Sequence, residues 1–212
     1  MGRSKPDAFG YLLILRQSNA TEDLVKQTIS AINDLRDVPG FIVDLRGANG
    51  GNEALAQEIA QRFCAKDVVY AKSKYRNGRK HTDFTRAYER TLTASKDSYT
   101  KPVVCIIGPG AVSSGEGFAK MMMALPHVTT VGMPTRGASG NPKPYKLGGT
   151  GVTVTFSRWV DLLPNGVTFE GRGIPPQVLV DEPATAYADR DPTLEKAFEV
   201  LRSKIAESKS AK

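Results

Sequence analysis

The stretch GPGAVSSGEGFAK at residues 108–120 separates two patterns of different period. Before it, PVVCII at residues 102–107 is rich in β-branched residues and has the length of a buried strand. After it, Phe118, Met121 and Leu125 recur at helical spacing. The sequence therefore predicts that Ser113 and Ser114 lie where a central strand ends and a helix begins.

A serine in this position has two interpretations. Sheets of α/β proteins bind ligands at the carboxyl ends of their strands, and free N–H groups of a first helical turn can stabilise a developing negative charge. A nucleophilic serine needs that geometry. Alternatively, Ser113 or Ser114 is only a helix cap, with Glu116 helping to satisfy the first turn.

The first two thirds of the chain alternate between strand and helix patterns. Strands are predicted at residues 9–15, 41–46, 68–74, 102–107 and 128–132, and amphipathic helices at residues 19–35, 52–63 and 118–125. Strand–helix–strand alternation predicts βαβ units and a parallel sheet. Residues 84–88 fit either a short helix or a strand.

The pattern changes after Pro134. Residues 152–160 alternate with period two, and residues 163–167 carry a hairpin signal, so this part is predicted to be antiparallel. Asp191 and Pro192 then begin a last helix as its cap and first turn. The predicted fold is α/β, with a mostly parallel βαβ sheet, an antiparallel region and a C-terminal helix.

The chain is predicted to form one domain at residues 10–206, between flexible tails at residues 1–9 and 207–212. Its 212 residues carry a formal charge of +7, and the basic residues are scattered except at residues 72–81. Because no nucleic-acid motif accompanies that run, we interpret it as a solvated loop and predict no nucleic-acid partner.

The composition indicates neither a disulfide framework nor a membrane span. The two cysteines, Cys64 and Cys105, lie in apolar patterns typical of core residues. No apolar run approaches the ~20 residues that cross a bilayer. The start of the chain lacks a signal-peptide pattern, so an export signal is expected only outside these residues. We predict no cofactor and no metal site.

Four separated stretches resemble one family in the same order. They are IVDLRGANGG at residues 42–51, VSSGE at 112–116, VGMPTRG at 131–137 and FEGRGIPP at 169–176. Together they are similar to the C-terminal processing peptidases, a family that includes the tricorn protease core and the interphotoreceptor retinoid-binding repeats. The resemblance covers about residues 10–180 and implies a fold of the Clp-protease/crotonase type.

The resemblance implies a role for each matching residue. Ser113 would attack a peptide carbonyl, while the Ser114 N–H and an N–H of the Gly50–Gly51 loop would hold the oxyanion. Glycine suits a loop whose backbone approaches a substrate closely, and losing one such donor typically costs ~3 kcal/mol of barrier. The alternative for Gly50 and Gly51 is a plain tight turn between strand and helix.

The chain departs from the processing peptidases at the expected base. Their lysine position is matched by Ala138, and their helper glutamine position by Pro142. A serine–lysine dyad is therefore excluded at the family position. Lys143 and Lys146 lack the right register and are interpreted as surface strand residues.

The tricorn-type branch instead uses serine, histidine and glutamate. Glu170 matches that glutamate, although a helix-capping or salt-bridge carboxylate beside Arg172 is an equal alternative. His81 lies in the basic loop, and His127 is expected to point away from the site. In that branch the histidine comes from an upstream region, so the base is expected from a domain outside this chain.

The sequence therefore predicts a tricorn-like serine peptidase domain, either an endopeptidase or a carboxy-terminal processing peptidase, that acts on an extended peptide or protein. An oligomer is compatible with it, and the family slightly favours an extracytoplasmic location. One alternative is a silent module of the same fold that binds a peptide or apolar ligand. A second is a crotonase-type acyl-thioester enzyme, which would need no serine nucleophile.

Overall fold

The computed structural model describes residues 1–4, 7–15 and 21–210. Its strands, in chain order, are β1 Gly2–Arg3, β2 Gly10–Leu13, β3 Phe41–Asp44, β4 Val68–Tyr75, β5 Tyr88–Leu92, β6 Val103–Ile107, β7 Val128–Gly132, β8 Lys143–Lys146, β9 Thr153–Phe156, β10 Trp159–Leu162 and β11 Val178–Leu179. Its helices are α1 Glu22–Asp34, α2 Glu53–Ala60, α3 Ser114–Met123 and α4 Pro192–Ser210, with 3-10 turns at Gln61–Phe63 and Ala184–Tyr187.

The main sheet has six strands in the order β1-β2-β3-β6-β7-β11. All neighbours are parallel except β1, which pairs antiparallel with β2. This arrangement confirms the predicted parallel βαβ sheet, and β6 is its central strand as predicted. Since parallel strands end at one edge, the loops after β3, β6 and β7 meet there.

The main sheet is covered on both faces. Phe41 and Val43 of β3 pack with α1, α2 and α3, whereas Ile42 faces the side on which Ala197 and Leu201 of α4 pack. Every residue of β6 is buried, as its continuous apolar run predicts. The result is a three-layer core that holds the carboxyl edge of the sheet in place.

The antiparallel part differs from the prediction in one respect. Residues 152–160 do not form one strand: β9 pairs with β8 in an isolated hairpin, and β10 pairs with β4 in a second sheet of order β10-β4-β5. The break falls at Ser157 and Arg158, where the Arg158 N–H donates to the Gly140 carbonyl and turns the chain. Of residues 84–88, predicted as either a short helix or a strand, only Tyr88 belongs to a strand, β5, and Phe84 makes a single bridge to Arg76.

The ends of several elements also differ from expectation. The first helix begins after Thr21, whose Oγ1 accepts the Leu24 N–H, and residues 19–20 lie outside the described residues. Asp191 caps α4 as predicted, accepting the Leu194 N–H at 2.9 Å. Helix α4 continues to Ser210, through residues expected in a tail, and β1 lies in the other expected tail. Residues 5–6 and 211–212 of those tails are outside the described residues.

No helix of the described part is long and apolar enough to cross a bilayer.

Candidate active site

Ser113 lies between β6 and α3, as the sequence predicted. Its backbone has φ +56° and ψ −122°, a conformation that non-glycine residues adopt at a cost. Its N–H donates to the Ala138 carbonyl at 3.0 Å and, at 3.3 Å, to the Glu116 carboxylate. A strained serine at a strand-to-helix turn is how several hydrolases present a nucleophile above a sheet.

The loop after β3 approaches this serine closely. Gly50 and Gly51 have φ values of +90° and +136°, which favour glycine. A Cβ atom at Gly50 would lie 3.0 Å from the Ser113 Cβ and 3.0 Å from the Val112 carbonyl oxygen, so the serine turn would have to shift to admit a side chain. The Ser114 hydroxyl donates to the Gly51 carbonyl at 2.6 Å and ties the loop to α3. Gly50 and Gly51 therefore form a tight turn between β3 and α2, and the same turn brings the backbone close to Ser113.

Gly51, Ser113 and Ser114 line a cleft of about 440 Å³, whereas Gly50 lies behind its wall against Ser113. Its walls are formed by Gly51, Asn52, Glu53, Ser113, Ser114, Ser139, Asn141, Pro142 and Trp159. Among the described residues, the backbone N–H of Ser114 donates to no protein acceptor, as expected for the first residue of a helix. The arrangement can therefore present a hydroxyl and at least one free N–H to the same bound group.

Glu170 lies outside these walls. Its exposed carboxylate accepts the Ser139 N–H at 3.2 Å, and the Ser139 hydroxyl reaches the Ser113 carbonyl at 3.5 Å. Glu170 is therefore connected to Ser113 only indirectly, through the hydrogen bonds of Ser139. The Arg172 guanidinium instead donates to the Thr168 carbonyl at 3.2 Å, and among the described residues it makes no ion pair with Glu170.

Glu116 bonds to the Ser113 N–H at the first helical turn, as the cap interpretation predicted, but it also occupies the centre of the site, which the sequence did not predict. Its fully buried carboxylate accepts the Thr135 hydroxyl at 2.6 Å, the Gly137 N–H at 2.6 Å and the Ala138 N–H at 3.0 Å. Together with the Ser113 N–H, these are four donors from two separated stretches of chain. Glu116 thus fixes the loop after β7 against the serine turn.

Thr135 extends this junction to the closing motif. Its Oγ1 accepts the Ile174 N–H at 2.8 Å, and the Gly171 N–H donates to the Gly137 carbonyl at 2.8 Å. A Cβ at Gly137 would lie 2.5 Å from the Gly173 nitrogen, so the two loops are in direct contact. Three of the four family-like stretches therefore meet at Glu116 and Thr135, and the fourth, through Gly51, contacts Ser114.

The positions expected to supply a base hold none. The Ala138 carbonyl accepts a hydrogen bond from the Ser113 N–H, but the side chain of Ala138 is only a methyl group. Pro142 lines the cleft. Lys143 and Lys146 are exposed on β8. His127 precedes β7 at the opposite edge of the sheet, and His81 lies in the β4–β5 loop. Within the described residues, no lysine or histidine lines the cleft, and Glu53 is its one acidic wall residue.

Glu53 belongs to a chain of charges that the sequence analysis missed. Lys120 of α3 and Asp161 of β10, both fully buried, pair at 2.5 Å, and Arg90 joins Asp161 to Glu53. Burial lowers the pKa of Lys120, and Asp161 opposes that shift. The available signal was a lysine on the apolar face of a helix, in the run FAKMM. The chain of charges fastens the second sheet to α3.

Comparisons with known proteins agree with this architecture. The model of Peptidase family S41 matches residues 8–180. The carboxy-terminal processing protease CtpB of Bacillus subtilis (strain 168) is 30% identical over 178 residues, which are 82% of this chain and 34% of that protein. The chain therefore spans about a third of the length of this curated relative.

Two solved structures show the same fold. A candidate peptidase from Parabacteroides merdae ATCC 43184 superposes with a TM-score of 0.83 at 27% identity, covering 94% of this chain and 62% of the other. The tricorn protease superposes with a TM-score of 0.65 at 20% identity, over 93% of this chain and 18% of the other. With a family model that matches most of its length, the chain belongs to peptidase family S41.

Proposed function

We propose that the chain is the catalytic domain of a serine peptidase, with Ser113 as nucleophile. The observation that carries this proposal is the strained Ser113 turn at the start of α3, which opens on a cleft beside Gly50 and Gly51. Membership of a peptidase family supports it. The substrate is a peptide or protein segment in an extended conformation.

The chemistry assigned to these residues is acyl transfer. The Ser113 Oγ forms a bond to the scissile carbonyl carbon while its proton passes to a base. The Ser114 N–H and an N–H of the Gly50–Gly51 loop hold the oxygen that becomes negative. Collapse of this intermediate breaks the carbon–nitrogen bond, and the base returns the proton to the leaving amine. Water then releases the acyl group by the same steps.

We propose that the base is a histidine from outside these 212 residues, contributed by an upstream domain and oriented by Glu170. Two observations support this: no lysine or histidine of the described part lines the cleft, and Glu170 is exposed one residue away from the serine. An oligomer and an extracytoplasmic location remain predictions from the family resemblance.

A fluorophosphonate probe with intact-mass detection tests the nucleophile. We expect one adduct on the parent chain when imidazole is added as a substitute base, and none on Ser113→Ala. Ser203→Ala, an exposed serine of α4, serves as the matched control and should label like the parent. Labelling of the parent without imidazole would place the base within these residues. Absence of an adduct under both conditions would contradict the nucleophile assignment.

A second candidate is a binding module of the same fold that has lost its chemistry. The observation in its favour is that Ala138 and Pro142 occupy the positions of the usual lysine and glutamine. The same labelling experiment decides between the two, because a module without an activated serine should form no Ser113 adduct with imidazole present.

A further inference from the structure

Trp159 is held rigidly at the wall of the Ser113 cleft. It is the one tryptophan of the chain, and its Nε1–H donates to the Ser139 carbonyl. The Arg90 guanidinium lies 4.5 Å from the centroid of its ring, and Arg90 is itself fixed by ion pairs. Since its polar group is satisfied within the protein, the indole can offer only apolar surface to the cleft.

Two tyrosines continue this surface away from the cleft. Tyr75 is the cross-strand partner of Trp159, with ring centroids 6.1 Å apart. Tyr88 stacks on Tyr75 at 5.8 Å with an interplanar angle of 6°, and 38% of Tyr88 is exposed. Their hydroxyl oxygens lie 3.3 Å apart and bond to each other. We call Trp159, Tyr75 and Tyr88 the aromatic shelf.

The position and chemistry of the aromatic shelf indicate its ligand. It starts inside the cleft that holds Ser113 and runs across β10, β4 and β5. An extended peptide rises about 3.3 Å per residue, so three neighbouring rings match about four residues. An acidic side chain placed there would lose water without gaining a partner, because the nearby cation Arg90 is already paired with Asp161 and Glu53.

We propose that the aromatic shelf is a subsite for an apolar, preferably aromatic, side chain of an extended peptide that crosses the Ser113 cleft. This inference rests on the proposed function, since it names the substrate class of the same cleft. The rigidity of Trp159 favours binding because little side-chain freedom is lost when the peptide docks.

The fluorescence of Trp159 reports directly on occupancy. The test uses the full chain with Ser113→Ala, so that no peptide is cleaved, and blocked octapeptides of alanine and serine with one phenylalanine, leucine or glutamate at the same position. We expect a saturable change in emission and a Kd about tenfold lower for the phenylalanine peptide than for the glutamate peptide. Leucine should lie between them.

Variants of the aromatic shelf separate recognition from a merely structural role. Tyr88→Ala should abolish the preference for phenylalanine, while Tyr88→Phe should keep it. Tyr145→Ala, which removes an aromatic ring that is 60% exposed on β8, is the matched control and should keep it too. The inference is overturned if phenylalanine and glutamate peptides bind alike, if neither binds, or if the preference survives Tyr88→Ala.

The outcome is distinguishable from that of the peptidase proposal. A phenylalanine preference in a chain whose Ser113 never labels would defeat the peptidase proposal and leave the subsite. A labelled Ser113 without such a preference would defeat the subsite alone.

Discussion

Helix α3 buries two charged side chains one turn apart, and they are satisfied in different ways. Glu116 accepts hydrogen bonds from three backbone N–H groups and one hydroxyl, and no cation pairs with it among the described residues. Lys120 pairs with Asp161, which also binds Arg90. The donors to Glu116 belong to the loops of the site, whereas the partner of Lys120 belongs to a neighbouring sheet.

The two buried charges therefore have different roles: Glu116 positions the loops of the site, and the Lys120–Asp161 pair holds two elements together. A carboxylate that collects donors from several loops fixes where each backbone lies, and no apolar residue can replace it without leaving those donors unpaired. A buried ion pair between two elements holds them together, but apolar side chains of similar volume can often do so equally well. The two charges should therefore respond differently to substitution.

The largest effect is expected from Glu116→Ala. The variant leaves the Thr135 hydroxyl and the N–H groups of Gly137 and Ala138 without their acceptor, so the free energy of unfolding should fall by about 4 kcal/mol. Urea denaturation followed by circular dichroism measures it.

Glu199→Ala is the matched control, because this exposed helical glutamate pairs only with Lys196. Its free energy of unfolding should stay within about 0.5 kcal/mol of the parent. An equally small loss for Glu116→Ala would show that the loops do not depend on this carboxylate.

A smaller loss of stability is expected from substituting Lys120, and a second substitution at Asp161 should restore it. Lys120→Met leaves Asp161 with only Arg90, which Glu53 also shares, so the free energy of unfolding should fall by about 3 kcal/mol. In the double variant Lys120→Met/Asp161→Leu, Arg90 keeps Glu53, and stability should return to within about 1 kcal/mol of the parent. If the double variant is less stable than Lys120→Met, the ion pair does more than fasten the sheet.

The sequence predicts the position of Ser113 better than it predicts the surroundings of Glu116. The position of Ser113 follows from an apolar run, a glycine loop and a helical period, all local along the chain. The donors to Glu116 come from residues 113–138, but which groups meet its carboxylate depends on how the loop after β7 folds back. The sequence alone therefore suggested only a helix cap.

The same limit explains the other surprises. Asp161 lies 41 residues from Lys120, so its role as the partner of a buried lysine is set by sheet pairing rather than by local pattern. Residues 152–160 have a continuous period of two, yet the strand is interrupted at Ser157 and Arg158, where the Arg158 N–H donates to the Gly140 carbonyl of a distant loop. Periodicity predicts which residues are extended but not which neighbour each one pairs with.

The smallest effect on the free energy of unfolding is expected from relieving the backbone strain at Ser113. We call Glu116 and the groups that donate to it, in Ser113, Thr135, Gly137 and Ala138, the Glu116 junction. Ser113→Gly and Ser113→Ala both remove the hydroxyl, but only glycine adopts φ +56° and ψ −122° without strain. Ser113→Gly should therefore be more stable than Ser113→Ala by about 1 kcal/mol in urea denaturation. At Ser203, within α4, the order should reverse, with glycine about 1 kcal/mol less stable than alanine. The same order at both positions would mean that the serine turn holds no strain, and that the Glu116 junction merely accommodates a relaxed backbone.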